Sequence, residues 1–204
     1  SADCWEEIIR TAHDVGIPST ATIMYGHVDE PKHWAAHIAL LREIQKDTGG
    51  FTELVPLSFV HTDSPLFLNN PNSVRPGPTD HEVDLMHSVS RIMLNGFIDN
   101  IQVSWTKLGA ERARNMLSLG VNDLGGTLMN ESISRSAGSK HGQEITAAEL
   151  CEIIRSAGRT PVRRNTIYKT IDIYKDHDPI DVIPLVERKS DPLNFLKMFP
   201  ETAE

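Results

Sequence analysis

The sequence predicts an α/β fold in which parallel strands alternate with flanking helices. Four short apolar segments, at residues 19–25, 51–60, 100–105 and 121–124, are separated by segments with a helical hydrophobic period. Each strand segment is apolar throughout rather than alternating, which is typical of parallel strands buried on both faces. The connections between the segments are short, as layered α/β folds require.

The first two helices are predicted from their caps and apolar stripes. Asp3 and Glu6 have the spacing of a capping box, and Gly16 with Pro18 ends that helix. Pro31 suits the first turn of the second helix, which Gly49 ends. The apolar stripes are Trp5, Ile8, Ile9 and Ala12 on the first helix, and Trp34, Ile38, Leu41 and Ile44 on the second.

Beyond residue 60, turn and cap residues predict the elements. The loop at 61–78 contains four prolines and is expected to be irregular. Capping boxes start one helix at Thr79 and another at Thr146, and a further helix covers 108–118. The helix after Thr79 carries the apolar residues Val83, Met86 and Ile92 and continues to about Leu94. Four strands are too few to close a barrel and no strand precedes the first helix, so we expect the chain to begin within a larger fold.

The composition is that of a globular protein and excludes several classes of partner. The 204 residues include 20 Lys+Arg and 28 Asp+Glu, a net charge of −8, with 39% hydrophobic residues. We therefore expect no nucleic acid and no membrane as partners, since no apolar run approaches the roughly 20 residues of a membrane span. Cys4 and Cys151 allow at most one disulfide, so a cytoplasmic location is expected, or an organelle if a targeting segment precedes Ser1.

Polar residues cluster where the predicted strands end, and these are the candidates for chemistry. The loops at the carboxyl ends of parallel strands carry the functional residues of α/β folds. The candidates are Tyr25, His27, Asp29, His61, Asp63, Ser64, Gln102, Ser104, Trp105, Lys107, Asn122, Asp123, Asn130 and Glu131.

Several of these candidates have an ordinary structural interpretation as well. Asp123 is either a general base or a cap of the next turn, and Gly125-Gly126 is either an anion cradle or a tight turn. The histidines within helices, His33, His37, His81 and His87, are expected to be surface or half-buried residues. A zinc hydrolase built on His27, His61 and Asp123 is an alternative, although no short-range ligand pair supports it.

Four segments resemble one branch of the radical S-adenosylmethionine enzymes. Residues 16–28, 51–61, 100–109 and 120–131 are similar to the fifth, sixth, seventh and last strand segments of that branch. It contains the deazaflavin-forming FO synthases and the aminofutalosine synthases of menaquinone biosynthesis. The details are most similar to the FO synthase component that joins tyrosine to a ribityl-diaminouracil.

The resemblance implies the C-terminal portion of a radical SAM (β/α) TIM-like barrel at residues 1–171, followed by a C-terminal extension at 172–204. The implied activity is transfer of the 4-hydroxybenzyl group of L-tyrosine to 5-amino-6-ribitylaminouracil, in 7,8-didemethyl-8-hydroxy-5-deazariboflavin biosynthesis. The implied cofactors are a 4Fe–4S cluster and S-adenosyl-L-methionine. The alternatives are an aminofutalosine synthase-like enzyme and a noncatalytic remnant that serves as a binding subunit.

The sequence departs from this family in one essential feature. The family binds its cluster through a Cys-x3-Cys-x2-Cys loop, and Cys4 and Cys151 cannot replace three clustered thiolates. The cluster ligands are therefore expected outside this chain, on a missing N-terminal half or a second radical SAM domain. We expect the chain alone to be inactive.

The resemblance assigns site residues only in part. The family has a sequence pattern at its fifth strand that contacts S-adenosylmethionine. Met24 and Gly26 align with this pattern and are the expected contacts, and Asp29 stands where the pattern has a glutamate. No catalytic residue is assigned. The residues expected to bind substrate are Tyr25, His27, His61, Gln102, Ser104, Asn122, Asp123 and Glu131, which supply the donors and acceptors that a ribityl chain and a uracil edge require.

Overall fold

The computed structural model describes residues 1–128, 131–142 and 144–175, which form a parallel strand pair with surrounding helices and a small hairpin. The predicted α/β class with parallel strands and flanking helices is confirmed at this level. The strands are β1 (Ser19–Tyr25), β2 (Phe51–Ser58), β3 (Val162–Arg164) and β4 (Thr170–Ile173). The helices are α1 (Ala2–Asp14), α2 (Pro31–Thr48), α3 (Pro65–Asn69), α4 (Asp80–Met93), α5 (Trp105–Leu108), α6 (Ala110–Met116), α7 (Ile133–Ser136) and α8 (Ala147–Ser156).

The parallel sheet grows in chain order. β1 pairs with β2, with Thr20 opposite Glu53 and Tyr25 opposite Ser58. The predicted strands at 100–105 and 121–124 are reduced to isolated parallel bridges, Leu54 with Ile101 and Gln102 with Asp123. The third segment is short because the chain turns into α5 at Trp105.

The two faces of this sheet differ in burial. Ala21, Tyr25, Leu54 and Ile101 are fully buried under the helices, on what we term the helix-covered face. The opposite face, termed the open face, carries the residues that alternate with them along the strands. These are Thr20, Thr22 and Met24 of β1, Glu53, Val55 and Leu57 of β2, and Gln102 and Asp123 of the following segments.

Helix α2 confirms the prediction made from its stripe and its ends. Trp34, Ile38, Leu41 and Ile44 are its buried residues. Gly49 ends the helix with φ +66°, a left-handed conformation that glycine adopts without a Cβ clash. Because the stripe recurs every three or four residues, one face of α2 packs continuously on the strands.

The predicted capping boxes at Thr79 and Thr146 are confirmed. Thr79 Oγ1 accepts the N–H of Glu82, and the Glu82 carboxylate accepts the N–H of Thr79 in return. The same reciprocal pair joins Thr146 and Glu149. At the first helix the prediction of Asp3 as the cap is wrong, since Ser1 Oγ accepts the N–H of Cys4.

Two apolar residues of the predicted helices are exposed, and the prediction for one histidine is wrong. Ile8 and Ile92 are exposed because they lie on the sides of α1 and α4 that are turned away from the core; the buried residues of α4 are Val83, Met86, His87 and Ser90. His87 is fully buried, with Nδ1 2.8 Å from the carbonyl oxygen of Val83, so its position within a helix is a core position.

Local irregularities account for the remaining differences. The loop expected to be irregular contains α3, which begins at Pro65 because proline suits a first helical turn. The helix predicted at 108–118 is divided by Gly109, with φ +80°, into α5 and α6. The β3–β4 hairpin has no counterpart in the prediction. β4 crosses the boundary expected between residues 171 and 172. Residues 176–204 of the expected extension lie outside the described residues.

Among the described helices, none combines the length and hydropathy required to cross a membrane.

Candidate functional site

A polar cluster lies on the open face, around Glu53, Gln102 and Asp123. Glu53 is almost fully buried; its carboxylate accepts hydrogen bonds from Gln102 Nε2 at 2.9 Å and Thr20 Oγ1 at 3.2 Å. Asp123 Oδ1 accepts the N–H of Gly125 at 2.6 Å. Two predicted binding residues, Gln102 and Asp123, therefore meet at adjoining strand segments.

The β3–β4 hairpin supplies a cation to this cluster. Arg164 Nε donates to Asp123 Oδ2, and its Nη2 lies 3.9 Å from Glu53 Oε2. Burial alone would lower the pKa of Arg164, but the Asp123 carboxylate outweighs that effect and raises it. Arg164 therefore stays charged between two carboxylates.

A cavity of about 260 Å³ adjoins this cluster. Ser104 and Trp105 line it together with Gln102, Glu53 and Arg164, and the indole N–H of Trp105 donates to the Gly126 carbonyl at 3.0 Å. Ser104 Oγ lies 3.1 Å from Thr106 Oγ1. The cavity thus combines an aromatic wall with hydroxyl, amide, carboxylate and guanidinium groups, a combination that suits a small polar ring.

A larger cavity, of about 1130 Å³, lies beside the fourth segment. Its lining includes apolar side chains of the 117–124 region, helix α8 and the hairpin. Within the described part of the chain, residues 121–125 pair only with the third segment, so this cavity follows an unpaired sheet edge.

The loop after β1 is organised by a carboxylate. Asp29 accepts the backbone N–H groups of Gly26 and His27 and the indole N–H of Trp34. Burial alone would raise the pKa of Asp29, but these donors outweigh it and lower the pKa. Nδ1 of His27 lies 2.8 Å from Oδ1 of Asp29. A negative charge therefore holds this loop in shape.

Met24 and Gly26, the two residues predicted to contact S-adenosylmethionine, lie near the end of β1 and directly after it. Met24 is half exposed on the open face. Gly26 has φ +92°, its N–H is bonded to Asp29, and a Cβ there would come within 2.3 Å of Pro78. Met24 is thus available to a ligand, whereas the described contacts of Gly26 are structural.

Tyr25 and Asn122 are directed away from the open face. The Tyr25 ring is fully buried against Trp34, and its hydroxyl accepts a hydrogen bond from Ser58 Oγ at 3.1 Å. Asn122 Oδ1 accepts from the Ile101 N–H and from Arg91 Nη2, which ties the sheet to α4. As placed, Tyr25 serves packing and the exposed Asn122 serves a structural hydrogen-bond network, whereas both were predicted to bind substrate.

His61 and Glu131 occupy other loops. The His61 ring packs edge-on against Phe67. The Glu131 carboxylate accepts the N–H groups of Ile133 and Ser134, so it caps the short helix α7. Asn130 lies outside the described residues.

The alternative of a zinc site is not supported by this arrangement. His27 lies beside Asp29, Asp123 is paired with Arg164, and His61 packs against Phe67. In residues 1–128, 131–142 and 144–175, no group of three or more His, Cys, Asp or Glu side chains is arranged to hold a metal ion.

Glu53, Arg164 and Tyr168 are missing from the predicted set. Glu53 had a detectable signal, because it is the one charged residue in the apolar segment 51–60. Arg164 and Tyr168 had none, since they lie in a polar stretch far along the chain from the strands that they reach.

Comparison with known proteins gives one matching family and relatives that share a large part of this sequence. Residues 48–177 match the family described as the CofH/MqnC C-terminal region. The chain is similar to the FO synthase of Mycobacterium leprae, with 56% identity over 164 residues, 80% of this chain and 19% of that protein. It is also similar to the 5-amino-6-(D-ribitylamino)uracil–L-tyrosine 4-hydroxyphenyl transferase of Methanopyrus kandleri. The identity is 51% over 173 residues, which are 85% of this chain and 46% of that protein. The chain thus spans less than half the length of either relative.

Proposed function

This chain belongs to the CofH/MqnC C-terminal region family, and on that basis we propose that it is the substrate-side part of a radical S-adenosylmethionine transferase. The reaction is transfer of the 4-hydroxybenzyl group of L-tyrosine to 5-amino-6-ribitylaminouracil. The observation that carries the proposal is the 51% identity, over 85% of the chain, to a relative whose name states these two substrates. The names of the relatives favour this reaction over the aminofutalosine-type alternative.

The open face fits the proposed substrates in chemical character. Gln102 and Ser104 offer an amide and a hydroxyl, and Trp105 offers an aromatic wall to the cavity of about 260 Å³. A uracil edge needs both donors and acceptors, and a flat ring packs well against an aromatic side chain. Since that cavity has room for one small ring, the ribityl chain is expected to extend along the open face towards β1.

The two expected cofactors fit this chain differently. The described residues offer no site for a 4Fe–4S cluster, because Cys4 is exposed on α1 and Cys151 is buried on α8, and neither belongs to a metal-binding group. The cluster ligands are therefore expected on the other half of the enzyme. Met24 fits an apolar contact with S-adenosylmethionine, which when bound supplies the hydrogen abstraction from tyrosine. Around it, the Asp29-bonded loop would hold the end of β1 in place.

The missing half is expected to complete a (β/α) barrel. The sheet order follows the chain, which is the order of strands in such a barrel, and the large cavity runs along the unpaired edge at 121–125. A strand of the cluster-bearing half would pair with that edge and cover its apolar lining. An uncovered edge of this kind recruits partners or aggregates.

The test is complementation in two pieces. This chain is co-expressed with the cluster-bearing N-terminal half of the Methanopyrus relative, and iron and sulfide are reconstituted without oxygen. S-adenosylmethionine, a reductant, tyrosine and the ribitylaminouracil are then added, and the coupled product and 5′-deoxyadenosine are measured by mass spectrometry. A matched control carries Val162→Lys, which places a charge at a 47% exposed apolar position in the lining of the large cavity.

The proposal requires product from the wild-type pair and a loss of assembly in the control. Formation of 5′-deoxyadenosine without coupling would replace the proposed substrates by those of the aminofutalosine type. A pair that assembles, carries its cluster and produces neither compound would leave the noncatalytic binding subunit as the better account.

A further inference from the structure

The β3–β4 hairpin reaches across the open face with one charged side chain. Arg164, at the end of β3, contacts Asp123 on the fourth segment and approaches Glu53 on β2. Its Nη1 donates to the Asn165 carbonyl at 3.2 Å. Nε and Nη1 of Arg164 thus donate to groups of the protein and Nη2 lies within ion-pair distance of Glu53, so the guanidinium holds the cluster together.

The two carboxylates depend on this cation. The side chains of Glu53 and Asp123 are only 10% and 11% exposed, and buried carboxylates are costly without a partner. Two carboxylates and one guanidinium leave the cluster with one net negative charge. It therefore favours a ligand rich in N–H groups, which an amino-substituted pyrimidine is.

Tyr168 supports Arg164 from the hairpin turn. The guanidinium carbon of Arg164 lies 4.0 Å from the centroid of the Tyr168 ring, a cation–π arrangement. Tyr168 has φ +62°, a left-handed conformation that is uncommon for a bulky residue and is found where surrounding contacts enforce it. Its phenol oxygen is buried beside Glu53. The turn is therefore shaped to place both side chains on the open face.

We propose that Arg164 is a positioning residue of the substrate site. Anchored by its ion pair with Asp123, it fixes the Glu53 carboxylate in the lining of the cavity where the aminouracil ring binds. The inference rests on the proposed function and extends it to a hairpin outside the parallel strands. Arg164 acts through the two carboxylates, and the Tyr168 ring supports its guanidinium from the hairpin side.

The test uses the assembled enzyme described above and four variants. Arg164→Gln removes the charge, Arg164→Lys keeps it without the planar fork, and Tyr168→Leu removes the aromatic support. Arg163→Gln is the matched control, because Arg163 lies on the same strand but pairs with the exposed Asp172 at 3.4 Å. Kinetics are normalised to the folded, cluster-bearing fraction, and KM is measured separately for the ribitylaminouracil and for tyrosine.

Arg164→Gln is expected to raise the KM for the ribitylaminouracil at least tenfold with the KM for tyrosine changed less than twofold. Arg164→Lys and Tyr168→Leu are expected to give intermediate increases, and Arg163→Gln none. An equal rise in both KM values, or a loss of folded enzyme with normal constants in the remainder, would show a structural role and overturn the proposal.

The two proposals fail in different ways. Unchanged constants in Arg164→Gln with an active wild type would remove the role of the hairpin and leave the proposed function intact. A correctly assembled wild type that forms no coupled product would remove the proposed function, and this inference with it. Should Arg164→Gln fail to fold, the Lys variant alone decides, since an unchanged KM there contradicts the need for the planar fork.

Discussion

The helix-covered face and the open face of the same four strand segments are built from different interactions. Beneath the helices, Leu54 and Ile101 contact other apolar side chains and are fully buried. On the open face, Glu53 and Asp123 are held by hydrogen bonds and by an arginine from the hairpin. Neighbouring residues in one strand thus serve opposite purposes, because successive side chains point to opposite sides.

This difference indicates where stability and function reside. Apolar burial is non-directional and stabilises in proportion to area, so the helix-covered face sets the free energy of unfolding. A paired charge contributes less net stability, because its desolvation offsets the attraction, but it fixes geometry. We therefore expect substitutions on the two faces to separate stability from activity.

The largest effect is expected from the helix-covered face. Leu54→Ala removes a fully buried side chain and should lower the free energy of unfolding by about 2–5 kcal/mol, from lost transfer energy and the cavity left behind. Thr22→Ala, at an exposed position on the open face, should change it by less than about 0.5 kcal/mol. Urea unfolding followed by circular dichroism measures both. Similar losses in the two variants would contradict the distinction between the faces.

A smaller effect is expected from the ion pair of the open face. Asp123→Asn removes the charge that Arg164 contacts, and should cost about 1–3 kcal/mol, since hydrogen bonds to charged groups are the stronger ones. Asp172→Asn, which breaks the exposed pair with Arg163, should cost less than about 1 kcal/mol. Urea unfolding of the two variants side by side measures the difference. Equal costs would mean that solvent screens both pairs to the same extent.

How well the sequence predicts each face depends on how far apart along the chain the interacting residues are. The α2 stripe and the box between Thr79 and Glu82 are set by spacings of three and four residues, and both were predicted. The pair between Arg164 and Asp123 joins residues 41 positions apart, and no local spacing encodes it. The burial of His87 was mispredicted for the same reason, because it depends on which elements pack over α4.

The candidate site was predicted to the extent that it depends on strand ends. Gln102, Ser104 and Asp123 follow from the rule that function gathers at the carboxyl ends of parallel strands, and they come together. Tyr25 and Asn122 show the limit of that rule, because a shift of one residue moves a side chain to the other face. Whether any of these residues binds substrate stays a prediction.

The pH dependence of stability should reveal the buried histidines of the helix-packed side. Burial lowers the pKa of His87, and likewise those of His13 and His37, so the unfolded chain binds protons that the folded chain does not. Stability should therefore fall as pH drops below about 6.5, by up to about 1.4 kcal/mol per pH unit for each histidine. The carboxylates with lowered pKa, Asp29 and Glu82, act in the same direction but only near pH 4 and below.

Thermal melts between pH 5 and 7.5 measure this slope. His87→Gln should flatten it, whereas His81→Gln at an exposed position of the same helix should leave the slope as it is. A slope that survives the combined loss of His13, His37 and His87 would place the acid sensitivity outside these three histidines of the helices.

The smallest change in stability is expected from exposed apolar side chains, and there a difference in function can be measured without a difference in stability. Met24 on the open face and Ile92 on α4 are both exposed apolar side chains, so Met24→Ala and Ile92→Ala should each change the free energy of unfolding by less than about 0.5 kcal/mol. Only Met24 lies where S-adenosylmethionine is proposed to bind. Equilibrium binding of S-adenosylmethionine to the assembled enzyme should therefore weaken about tenfold in Met24→Ala, the equivalent of about 1.4 kcal/mol, and stay unchanged in Ile92→Ala. Equal affinity in both variants would show that the Met24 side chain does not contact S-adenosylmethionine.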